Sequence, residues 1–129
     1  MYKRQGRYTV DHYYEDLFLF SVHPDGEHHW EKILHKKQFS QDDDAAFSSF
    51  FLVKTPQRLR LIYNDEIRNE NTVSEYIIKG SGEYDRNSIL NTASQELRLR
   101  FRESKQVAYN EIIVPSERKS RLKLVRMQF

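Results

Sequence analysis

Apolar and polar residues alternate with a period of two along most of this chain, and turn-forming residues interrupt the pattern at short, even intervals. A period of two belongs to strands with one face buried, and a helix cannot satisfy it. Eight segments read as strands: 17–23, 28–35, 47–54, 58–63, 73–79, 96–102, 107–114 and 122–128. Pro24-Asp25-Gly26-Glu27 between the first two makes them a hairpin. Leu124-Val125 breaks the alternation in the last strand, which predicts a bulge there. ILNTASQ (89–95) is ambiguous and leaves room for one helical turn. The expected class is all-β with short antiparallel strands, arranged as about two propeller blades or, alternatively, as a β-sandwich.

Composition agrees. Tyr and Phe number eight each in 129 residues, which favours sheet over helix. There is no cysteine, so disulfides, thiolate metal sites and cysteine nucleophiles are excluded. No run approaches the ~18 apolar residues of a membrane helix.

The first five residues, MYKRQ, read differently from the rest. They match the translation of a transposase end sequence used in sequencing libraries, GTG-TAT-AAG-AGA-CAG, with the GTG start written as Met. On this reading residues 1–5 are a non-native tag. Residues 6–129 are then expected to be a single all-β domain, the C-terminal fragment of a longer protein from an environmental sample. Lys3 and Arg4 carry the whole formal charge of +2, so the remainder is neutral and the basic pI is no argument for nucleic acid.

The stretch EDLFLFSVHPDGEHHWEKIL (15–34) resembles one repeat of bacterial extracytoplasmic β-propeller proteins, of the type D-apolar-apolar-V-x-x-x-D-G-x-x-x-W. Asp16, Val22, Asp25, Gly26 and Trp30 carry the match. LRLIYND (59–65) is similar to the closing strand and Asn-Asp turn of such repeats. The resemblance covers about Asp16–Asp65, and residues 73–129 contain no second D-G-x-x-x-W. It implies that Trp30 packs between neighbouring blades and that Gly26 supplies the hairpin turn. It also implies a periplasmic, cell-surface or secreted location and a binding or scaffolding role. A propeller enzyme with its catalytic groups upstream is the alternative. A terminal Phe129 after Val125 and Met127 is similar to the last strand of outer-membrane barrels, a minor alternative that Lys123 interrupts.

Candidate sites are few. Arg98, Arg100 and Arg102 alternate with Leu97, Leu99 and Phe101, so they would project together from one strand face. Arg58 and Arg60 form a similar pair, and Arg118, Lys119, Arg121, Lys123 and Arg126 add charge near the end. Such a face suits an acidic glycan or a protein; an ordinary charged outer face is the plainer alternative. Single-stranded nucleic acid would want aromatics among the arginines, and these lie opposite, so no nucleic-acid partner is expected. His23 and His28 flank the hairpin turn and, with Asp25, form a candidate zinc or copper site. Asp42-Asp43-Asp44 is a weaker calcium candidate, without the alternating ligands of an EF-hand loop. Asn64 and Asp65 read as structural turn residues. No catalytic motif is recognised and nothing calls for a cofactor. A truncated propeller would self-associate through its exposed strand edges.

Overall fold

RLRLIYN and TVSEYIIK are buried at consecutive positions, polar Ser74, Glu75 and Asn64 included, because the sheet they belong to is covered on both faces. The computed structural model describes residues 8–65, 67, 72–92 and 96–129. The described strands are β1 (Asp11–Tyr14), β2 (Leu17–Val22), β3 (His28–Leu34), β4 (Gln38–Gln41), β5 (Phe51–Lys54), β6 (Arg58–Asn64), β7 (Thr72–Lys79), β8 (Tyr84–Asn91), β9 (Lys105–Ala108), β10 (Glu111–Arg118) and β11 (Arg121–Gln128). All pair antiparallel, in sheets of two to four strands ordered β1-β4, β2-β3, β5-β6-β7-β8 and β11-β10-β9. The chain is all-β, and the described strands close no barrel.

The four-stranded meander β5–β8 is the middle layer. One face carries Val53, Ile62 and Val73, packed against Leu99, Phe101, Ile112, Val114 and Met127 of the β9–β11 side. The other carries Leu61, Tyr63, Tyr76 and Ile78, packed against Leu34 with Leu17, Leu19 and Trp30 of the β2–β3 hairpin. Burying each of these large side chains contributes roughly 1.5–3 kcal/mol. Three layers of sheet therefore stack, with the four-stranded meander between the other two. The end layers keep simple alternation. In β2, Leu17 and Leu19 face inward while Phe18 and Phe20 remain 61% and 63% exposed.

β1–β4 prolongs the β2–β3 hairpin into one kinked ribbon. Tyr14 faces Gln38 on one side of the kink and Leu17 faces Leu34 on the other. At the kink Asp16 Oδ1 accepts the Lys36 backbone N–H at 3.2 Å and lies 3.5 Å from His35 Nδ1. The buried Lys36 ammonium donates to the Tyr14 carbonyl and to Gln38 Oε1.

Several sequence expectations need correction. Residues 96–102 do not form a regular strand: only Leu99 bridges, to Ser116, before the backbone tightens into a 3-10 turn at Phe101–Glu103. Residues 107–114 are the end of β9, a turn and the start of β10, since Tyr109-Asn110 reverses the chain. The bulge expected at Leu124-Val125 is absent: Pro115 faces Leu124 and Val114 faces Val125 in unbroken register. The alternation fails there because Leu124 lies outward and 73% exposed. Ile89–Asn91 continue β8 and are not helical, and 93–95 lie outside the described residues. The tag reading of 1–5 also falls outside them.

Candidate functional site

The seam between the middle layer and the β9–β11 layer opens into a groove of about 510 Å³. That volume is in the range of small-ligand sites. Its wall on one side is the tight turn Thr55–Arg58, closed by Thr55 N–H and Oγ1 donating to the Arg58 carbonyl at 3.0 and 2.9 Å. The other wall is the β9–β10 turn with Tyr109 and Asn110, and Phe129 closes the end. Phe129 is held there by its backbone N–H, which donates to the Asn110 carbonyl at 2.8 Å. The Gln106 side chain clamps the two layers, accepting from Lys54 N–H at 2.9 Å and donating to the Lys54 carbonyl at 2.7 Å.

The two arginines of this groove do different work. Arg60 Nη1 donates to both oxygens of the buried Glu75 at 2.7 and 3.0 Å, and its guanidinium lies 4.9 Å from the Phe129 ring centre. Its charge is neutralised, and it shapes the floor. Arg58 is exposed and lines the same groove as Tyr109, a residue that is 69% exposed. A cation next to an open aromatic face can hold a carboxylate or sulfate by a charge-assisted bond while the ring covers apolar surface.

Arg98, Arg100 and Arg102 are each engaged by neighbouring groups of the chain. The Arg98 guanidinium stacks 4.0 Å over Phe47. Arg100 is paired with Glu117 at 2.7 Å and Glu103 at 2.9 Å. Arg102 donates to the Ala45 carbonyl at 3.2 Å and lies over the Tyr14 ring. A second groove, about 280 Å³, is lined by Arg118, Lys119, Arg121 and Lys123 with Glu96 and Ser116 at the β10–β11 turn. Arg126 pairs with Glu111.

The histidines also settle differently from the sequence expectation. The register shift between Ser21 and Val22 puts His28 opposite Val22, and His23 stacks on His29 with ring centres 4.5 Å apart. Asp25 Oδ1 accepts the Glu27 N–H within the turn. Among the described residues no three His, Asp or Glu side chains gather as metal ligands. Asp43 Oδ1 likewise accepts locally, from Ser40 Oγ and the Ala45 N–H.

The structural residues are firmly placed. Gly26 takes φ +90 in the hairpin turn. Trp30 reaches from β3 to the β7–β8 turn, where its indole N–H donates to the Gly80 carbonyl at 2.9 Å. Asn64 is fully buried and its side-chain amide donates to the Phe47 and Leu99 carbonyls at 3.0 and 2.7 Å, while its backbone carbonyl accepts from Gln38 Nε2 at 2.6 Å. Asp65 accepts from Ser74 Oγ and pairs with Arg86.

Burial lowers the Lys36 pKa to about 8, against the raising effect of Asp16 and Glu15. Burial raises Tyr63 to about 12, although the Arg86 hydrogen bond opposes it. Neither group opens onto the grooves above. No family model, no curated protein and no solved structure matches this chain.

Proposed function

We propose that this chain is a propeller-like binding or scaffolding module of a bacterial envelope or exterior, and that it holds an acidic glycan at the Arg58–Tyr109 groove. The groove carries the reading: an uncompensated arginine and an exposed aromatic ring share one cleft at a seam between sheets. A four-stranded meander with further sheets stacked on both faces supports the propeller part, because neighbouring blades pack in that way. A uronic acid carboxylate would pair with Arg58 and the sugar ring would lie on Tyr109.

The test is retention on immobilised polygalacturonate. Wild type is retained at low salt and released in moderate salt. Arg58→Ala and Tyr109→Ala each shorten retention, while Arg102→Ala leaves it unchanged. Lack of retention, or equal retention of the Arg58 and Tyr109 variants, overturns the proposal.

A further inference from the structure

The two-stranded layer β2–β3 covers only part of the four-stranded sheet beneath it. Trp30 of β3 bonds to the β7–β8 turn, and the Tyr76 hydroxyl of β7 donates to the His35 carbonyl just past β3. β3 therefore lies over β7, and β2 lies towards β6. Beside β2 runs a groove of about 490 Å³, whose floor is Phe50, Leu52, Leu59 and Leu61 of the β5–β6 side. Consecutive residues Leu17 to Ser21 line it, with Trp30 of β3 reaching in beneath, so both the inward and the outward parity of β2 border the space. Only the edge of a strand presents both parities at once. Among the described residues β2 pairs with β3 alone. Alternate backbone N–H and C=O groups along β2 thus point into the groove, above a floor that continues the core between the layers.

We infer that this groove accepts one extended peptide strand of a partner polypeptide, with alternating apolar side chains, added to the free edge of β2 over β5. Backbone bonds to β2 would give affinity, and the apolar floor would select every second side chain. The floor itself argues against a second folded copy as occupant. Two copies paired through β2 would each bring a β5–β6 floor beneath the shared seam, and the floors would collide. A single strand is thin enough to enter.

The probe is a fluorescein-labelled nonapeptide of alternating Val and Thr with Lys at each end, read by anisotropy against the full chain. Two further peptides carry N-methyl groups on alternate residues, one set along each edge. The unmodified peptide binds, methylation of one edge abolishes binding, and methylation of the other leaves it intact. Phe20→Glu, a change at an exposed rim position, weakens binding by about tenfold or more. Equal response to both methylated peptides means apolar adhesion without strand pairing and overturns the inference. So does the absence of binding, an unaffected Phe20→Glu variant, or sedimentation showing a dimer that excludes the peptide.

Discussion

Three glycines separate two physical effects that usually arrive together. Gly80 has open space around its Cα and an ordinary φ; Gly26 has open space and φ +90; Gly82 has φ +93, and a Cβ there would lie 2.9 Å from Cγ and Cδ2 of Trp30. Alanine at Gly80 should stabilise the fold by about 0.4–1 kcal/mol. Alanine at Gly26 meets only the left-handed backbone cost, about 1 kcal/mol. Alanine at Gly82 meets the same cost plus overpacking, for a total of roughly 2–4 kcal/mol. The indole cannot easily yield, because moving it breaks its 2.9 Å bond to the Gly80 carbonyl. Urea unfolding followed by far-UV circular dichroism measures all three, and repeating Gly82→Ala in a Trp30→Ala background isolates the clash. In that background the cost should fall to about the Gly26 value, a coupling of roughly 1–3 kcal/mol. If Gly82→Ala costs no more than Gly26→Ala, or costs the same with and without Trp30, the packing of β3 on the β7–β8 turn is not as described.

Arg60→Ala strands the buried Glu75 and should cost about 3–5 kcal/mol, whereas exposed Arg58→Ala should cost less than about 0.5 kcal/mol; paired urea titrations decide it. Asn64→Ala leaves the Phe47 and Leu99 carbonyls without this donor, an expected loss of roughly 2–4 kcal/mol in the same assay. Lys36 binds its proton less tightly when folded, so stability should rise between about pH 8 and 10.5; Tyr63 binds its proton more tightly when folded, so stability should fall between about pH 10 and 12. Thermal unfolding across that range should peak near pH 10, and Lys36→Met should flatten the rising limb.

Strand identity was legible where one face is buried. β2, β3, β5, β6, β7 and β11 contain alternation or an apolar run long enough to read, but neither the double burial of β6 and β7 nor the bounds of β10 show in it. β1 (DHYY) and β4 (QFSQ) gave no signal, because a ribbon beyond the core is selected by backbone pairing and by the Gln38–Asn64 bond. The 96–102 segment shows the limit of periodicity. Leu99 and Phe101 do face the core, as alternation predicts, yet that says which side a residue faces and not what it touches. The partners of its arginines lie as far back in the chain as Ala45 and Tyr14, so these engagements could not be read from spacing. The Arg58 groove draws on 55–60, 109–110 and 129, three separated places that only the fold brings together.

The doubly covered middle layer also shapes how the molecule comes apart. β6 and β7 have no face of their own to give to water, so either end layer can leave only by stripping one wall of the centre. Stability then resides in the interfaces between layers more than within any sheet, as in a short one-dimensional array. Amides of β6 and β7 would exchange with solvent only through global opening, while β1 and β4, outside both core clusters, would exchange through local fraying. Such a stack tolerates change in its ribbon and turns and transmits damage in its centre to every layer.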